Sequence, residues 1–168
     1  IEGSVVRLIL PMPEDRGAVT VDGFAGRVSG RWVSAGSPHF VVPVANVDDW
    51  PLAAHGPWLR RHPAFGPDGV NVDVVSESAD GSVRIRTWER GVEGETLSCG
   101  SGALAAARVA FDAGRAGRLR IVPKAGLPLY VDLPPASSGS ARLTLEGDAR
   151  WIFSAELGAE SVIGTDGP

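Results

Sequence analysis

Cysteine is nearly absent from this chain, with one, Cys99, among 168 residues. No internal disulfide can form, which fits a reducing cytosol and equally fits an exported protein that needs no bridge. Lysine also occurs once, as Lys124 between Pro123 and Ala125, so a pyridoxal Schiff base has no supporting pattern. The three histidines, His39, His55 and His62, are scattered, and neither paired cysteines nor a His-Glu-x-x-His run accompanies them. A Gly-rich dinucleotide fingerprint and a phosphate loop ending in Lys-Ser or Lys-Thr are missing too. The residues thus carry no metal or cofactor signature. A net charge of −4 supplies no basic field for a nucleic-acid backbone, so nucleic acid is not an expected partner. No apolar run approaches the roughly 20 residues that span a bilayer, and no charged-then-apolar leader is present. The expectation is a soluble, cytoplasmic chain without a membrane partner. The chain opens at Ile1 without methionine and enters strand-like sequence by Val5, which has the look of a cut or processed start.

What is present is globular: 43% hydrophobic and 21% charged residues, enough for one domain with a sizeable core. Apolar and polar residues alternate with period two at Val6, Leu8 and Leu10, at Val70, Val72 and Val74, and at Val83, Ile85 and Thr87. These predict half-buried strands. Shorter strand candidates are "HFVVPV", "LRIVP", "LYVDL", "ARLTL" and "WIFSAEL", separated by Gly, Pro, Asp and Ser clusters. The run from Gly100 to Gly114 differs, being alanine-rich and charged only at Arg108 and Asp112. A helix apolar nearly all round is a buried one. Gly114 and Gly117 suit its end. A second helix is read through "DDWPLAAHGPWLRRH", with Asp48 or Asp49 as its cap, Pro51 in the first turn and Gly56-Pro57 as a break or kink. "LPPASSGSA" reads as a long hairpin turn, and the tail after Leu157 as fraying sequence. The expected fold class is α+β, a mostly antiparallel β-sheet curved around one central buried helix.

Cys99 falls at the entrance of that helix, where unpaired N–H groups and the positive end of the macrodipole bind anions and favour a thiolate. A free thiol has a pKa of about 8.5, and such a site can lower it. The glycines around Ser101 would let backbone approach a ligand, so that the Gly100 and Ser101 N–H groups could hold a carboxylate beside the sulfur. Against this stands the plain alternative of a small buried hydrophobe. Glu89, Arg90 and Glu95, just upstream, offer a fork for a carboxylate and an acceptor for an ammonium group. They also read as a solvated strand end.

The stretch "ERGVEGETLSCGSGA" resembles the second catalytic-cysteine motif of diaminopimelate epimerases, Glu-Arg-Gly-x-Gly-Glu-Thr-x-x-Cys-Gly-Ser/Thr-Gly. "GSPHFVV", "HPAFGPDGVNVDVV" and the closing "GDARWIFSAEL" are similar to further family blocks, in family order. The resemblance spans most of the chain, which reads as a single domain over residues 1–168, but it covers only the C-terminal of the family's two pseudo-symmetric domains. The N-terminal catalytic half, with its own cysteine motif, has no counterpart here. It implies epimerisation of LL-diaminopimelate to meso-diaminopimelate in lysine and cell-wall precursor synthesis. One thiolate removes the α-proton and a thiol on the opposite face returns it, without metal or cofactor. By resemblance Cys99 is one of the two acid/base thiols, with Glu89 and His39 tuning thiol protonation. Gly100 and Ser101 clamp the reacting carboxylate, Glu89 and Arg90 engage the amino and carboxylate groups, and Asn71 and Ser37 line the substrate site. Ser37 departs from the family's usual asparagine, and "RGVEGET" carries one extra residue before Cys99.

The substrate partner implied is diaminopimelate and the protein partner is the missing N-terminal domain, so this chain alone is expected to be inactive. Two alternatives stand beside this reading. One is another two-thiol amino-acid racemase or epimerase, motivated by Ser37. The other is a non-catalytic half-domain that binds or pairs through the cleft face, with a homodimer bringing two copies of Cys99 together.

Overall fold

The period-two segments become strands of one ten-stranded sheet, in a computed structural model that describes residues 5–23, 26–150, 152 and 154–156. The strands are β1 (Val5–Pro11), β2 (Glu14–Gly23), β3 (Gly26–Ser34), β4 (Pro38–Pro43), β5 (Asn71–Glu77), β6 (Val83–Glu89), β7 (Gly94–Thr96), β8 (Gly117–Val122), β9 (Leu129–Leu133) and β10 (Arg142–Asp148). Two helices accompany them, α1 (Leu52–Arg60) and α2 (Gly100–Asp112). The sheet runs β1-β10-β9-β8-β6-β5-β4-β3-β2, with β7 paired to β6 off this path. Pairing is antiparallel except for β4 with β5 and β6 with β8. Helix α2 packs against β2, β3, β4, β5, β6 and β9, so the sheet curves around it as expected.

The two helices lie on opposite faces of the central strands. Phe40, Val42, Val72, Val74 and Trp88 pack with Leu52 and Leu59 of α1. From the other face, Val33 and Val41 meet Ala105, while Ile85, Leu119, Ile121 and Val131 meet Ala103, Ala106 and Ala107 of α2. Strand β5 is therefore buried on both sides. The sequence pattern assigns Val72 and Val74 to a core face and leaves Asp73 as the solvent-side residue between them. Instead Asp73 is wholly buried beneath α2, because a sheet covered on both faces has no solvent side in its middle.

Helix α2 begins at Cys99, whose extended backbone makes it the N-cap. It ends in a Schellman motif: the N–H of Gly114 donates to Phe111 C=O at 2.9 Å and that of Arg115 to Ala110 C=O at 3.0 Å. Gly114 and Gly117 both adopt left-handed backbone, with φ of 91° and 80°. Helix α1 departs from expectation in two ways. Its cap is Pro51, with no side-chain bond, while Asp48 pairs with Arg84 across the surface. Gly56-Pro57 does not break it either. Any Cβ at Gly56 would meet the Trp88 ring at 2.7 Å, so this glycine lets the helix sit down on β6.

The hairpin β2–β3 and the short β7 have no counterpart among the sequence-derived strands. In β1, Leu10 packs into the α2 cluster and Val6 is half-buried as the alternation predicts, but Leu8 stays exposed. The Pro/Ser/Gly stretch joins β9 to β10 through a 3₁₀ turn at Ala136–Ser138. No strand forms over "WIFSAEL" among the described residues; Trp151, Phe153 and the tail from Leu157 lie outside them.

Candidate active site

The site assembles where the inner face of the sheet meets the first turn of α2. In-register pairing sets His39 beside Asn71 across β4 and β5, and Asp73 beside Thr87 across β5 and β6. Period-two geometry then turns all four, with Glu89 two residues beyond Thr87, toward the helix N-terminus. Ser37 joins them from the bend before β4.

Hydrogen bonds connect these groups into one network. The Cys99 Sγ accepts the Gly102 N–H at 3.4 Å and lies 3.4 Å from the Ser101 hydroxyl. Ser101 Oγ is 3.0 Å from His39 Nε2, and Ser37 Oγ is 2.9 Å from the same nitrogen. His39 Nδ1 lies 2.7 Å from one Asp73 carboxylate oxygen, and the Thr87 hydroxyl donates to the other at 2.7 Å. Asn71 donates through Nδ2 to Ser37 Oγ at 3.3 Å and to Pro38 C=O at 3.1 Å, and accepts the Arg90 N–H at 2.8 Å. Every member has a partner, as a buried polar network must to be stable. At the mouth the balance differs. No protein acceptor among the described residues takes the N–H groups of Gly100 and Ser101, the first two of the helix. An anion there would receive both.

Burial pushes the Cys99 thiol up from its ordinary pKa, and the negative charges of Asp73 and Glu89 add to that. The Ser101 hydroxyl and the Gly102 N–H pull the other way without overcoming it. The expectation of a lowered pKa at this helix entrance is thus reversed in the chain by itself, because desolvation outweighs the helix end.

Of the residues singled out from sequence, Cys99, Ser101, Ser37, His39 and Asn71 meet directly, Gly100 lines the mouth, and Arg90 is tied to Asn71 through its backbone. Glu89 acts on the thiol through its charge. Glu95 does not join them. It forms a two-point ion pair with Arg86 and a third contact with Lys124, while Arg86 also donates to the carbonyls of Val47 and Trp50. The second glycine of the Cys-Gly-Ser-Gly run has an internal use rather than a ligand-facing one. A Cβ at Gly102 would sit 2.7 Å from Asp73 Oδ1 and 3.3 Å from Thr87 Oγ1. Asp73 and Thr87 are the members that sequence reasoning missed. The available signal was a carboxylate set between Val72 and Val74, which needs a buried partner if both faces of the strand are covered.

The family model described as diaminopimelate epimerase matches residues 31–131. Diaminopimelate epimerases of Gemmatimonas aurantiaca and Aquifex aeolicus are 43% and 34% identical to this chain, over 73% and 92% of its length and 47% and 54% of theirs. The Xylella fastidiosa enzyme is 48% identical over 72% of this chain and 41% of its own. This chain therefore spans about half the length of the curated relatives it matches. Among solved structures, a probable proline racemase from Agrobacterium radiobacter superposes with a TM-score of 0.71 at 18% identity, over 93% of this chain and 54% of that one. A phenazine-biosynthesis protein of the PhzF family from Bacillus anthracis gives 0.61 at 12% identity, over 86% and 57%. These last two share the fold. With a family model covering more than half of its residues, this chain belongs to the diaminopimelate epimerase family.

Proposed function

We infer that this chain carries one side of a cofactor-independent epimerisation site acting on diaminopimelate, with Cys99 as one of two acid/base thiols and the other supplied by a half it does not contain. The observation that carries the reading is the position of Cys99 Sγ beside the unclaimed Gly100 and Ser101 N–H groups at the start of α2. A substrate carboxylate held by those donors sets the α-carbon next to the sulfur. The same donors stabilise the negative charge that moves onto the carboxylate when the α-proton leaves. With burial favouring the protonated sulfur, Cys99 rests as the thiol, the form that returns a proton to the carbanion. Removal of the proton then falls to a thiolate on the opposite face.

Glu89, the last residue of β6, and Arg90 beyond it engage the substrate's amino and carboxylate groups, and Asn71 holds the Arg90 backbone in place. Leu97, two residues before Cys99, is exposed, in keeping with a surface that a second half covers. Inversion needs both faces, so the chain alone does not epimerise. Joined to the first half of the Gemmatimonas aurantiaca relative, it turns over LL-diaminopimelate, and Cys99→Ala abolishes that turnover. Epimerisation by the 168-residue chain alone, or a joined protein indifferent to Cys99→Ala, would refute the assignment. Ser37 favours a second reading, a related amino-acid epimerase with altered distal specificity. Preference of the joined protein for an amino acid lacking a second carboxylate would select it.

A further inference from the structure

We propose that Asp73 is a positioning residue that holds His39 so that its Nε2, acting through the Ser101 hydroxyl, exchanges a proton with Cys99. The inference deepens the proposed role of Cys99 and rests on it. Its physical basis is the order of the contacts. His39 and Asp73 are both fully buried, and the Nδ1 to carboxylate distance of 2.7 Å is that of a charge-assisted bond. A carboxylate accepts only, so Nδ1 carries a proton toward Asp73, and the neutral tautomer this orientation selects presents a lone pair at Nε2. Thr87 occupies the other carboxylate oxygen, which keeps the Asp73 side chain from turning away.

On the Nε2 side the donors line up in one direction. Asn71 Nδ2 donates to Ser37 Oγ, Ser37 Oγ lies 2.9 Å from His39 Nε2 and donates to Ser101 Oγ at 3.3 Å, and Ser101 Oγ, 3.0 Å from Nε2, has its own proton left to give to that nitrogen. The Ser101 oxygen retains a lone pair for the Cys99 S–H, 3.4 Å away. The step balances within the chain. The thiol proton passes to Ser101 Oγ as the proton of that hydroxyl passes to Nε2. The sulfur keeps the electron pair, and a thiolate and an imidazolium replace a thiol and an imidazole. No co-reactant is needed, and net charge is unchanged. Asp73 then faces the imidazolium at contact distance.

The charged and titratable groups that face the pair are Asp73 from β5, Glu89 from β6, and His39 from β4 to the thiol; α2 itself contributes no charge in its first turn. Acting directly, the Asp73 charge opposes a thiolate at Cys99. Acting through His39, it favours one. The two routes have opposite signs, so one substitution separates them.

Because Cys99 is the only cysteine, its rate of alkylation by iodoacetamide reads this thiol in the intact chain without substrate or a second half. Asp73→Asn lowers the rate at pH 7 about tenfold, the change given by one unit of thiol pKa. Ser101→Ala lowers it as well, and the double variant is no slower than the slower single, since both cut one connection. A faster Asp73→Asn variant, an unchanged rate, or losses that multiply would overturn the proposal. Nitrogen NMR of the wild-type His39 ring gives a reading that needs no variant. A neutral ring protonated at Nδ1 is expected, and protonation at Nε2 alone would overturn the relay even if Asp73→Asn does not fold. Failure of epimerisation in the joined protein would refute the proposed function and leave these thiol measurements standing.

Discussion

Replacing Gly102 with alanine tests whether the first turn of α2 is seated on Asp73. On an isolated helix the change is favourable by up to about 1 kcal/mol. Here the added Cβ falls 2.7 Å from Asp73 Oδ1 and 3.3 Å from Thr87 Oγ1. A carboxylate at the end of a free side chain could swing aside cheaply. This one is held at one oxygen by His39 and at the other by Thr87, inside a wholly buried site. Either the helix lifts, at the roughly 1–3 kcal/mol typical of overpacking, or a buried bond breaks, at about 1–3 kcal/mol for an unsatisfied partner. Set against the helix gain, net destabilisation is about 1–2 kcal/mol, which lowers Tm by roughly 2–8 °C in a domain of this size. Gly100→Ala is the internal control, since its Cβ meets only Leu145 Cδ2, at an ordinary 3.7 Å. Thermal unfolding by circular dichroism should find Gly100→Ala at or above wild type and Gly102→Ala below it. A Gly102→Ala protein as stable as wild type would refute the close seating of α2 on Asp73.

Gly56→Ala should also destabilise, by about 1–3 kcal/mol, because its Cβ would meet the Trp88 ring at 2.7 Å; a raised midpoint in urea would contradict the packing of α1 on β6. Arg86, with Lys124, holds the Glu95 carboxyl below the ordinary carboxylate range. The ion pair therefore contributes stability above the unfolded value of about 4.3 and loses it as pH falls through the lower folded value. Urea unfolding of Glu95→Gln against wild type should show a deficit at pH 7 that shrinks below about pH 4, and a deficit that grows on acidification would reverse the argument.

Much of the fold was readable because local pattern and tertiary environment agreed. The alanine-rich run became a buried helix, Gly114 adopted the left-handed backbone its end requires while Gly117 opens β8 instead, and the hairpin turn over "LPPASSGSA" formed where Pro and Gly cluster. The β2–β3 hairpin escaped notice because its strands mix Arg, Ser and Gly with Val and gain their place from pairing with each other and with β4. Glu95 looked like a ligand for substrate because spacing alone does not show that Arg86 and Lys124 already hold it. Gly56-Pro57 looked like a helix break because the gain from packing against Trp88 is invisible in sequence.

By itself the sequence determined the chemistry available: one thiol at a helix entrance, the residue types around it, and the α+β class. These depend on local propensity and on periodicities of two and three to four residues, which a chain displays without being folded. Only the tertiary structure decided which groups the thiol meets and which way its protonation leans. Covering both faces of β5 turned Asp73 from a surface carboxylate into the buried partner of His39, and the same burial pushed Cys99 upward against the pull of its own helix. Desolvation and long-range pairing depend on what packs overhead, which is a property of the fold.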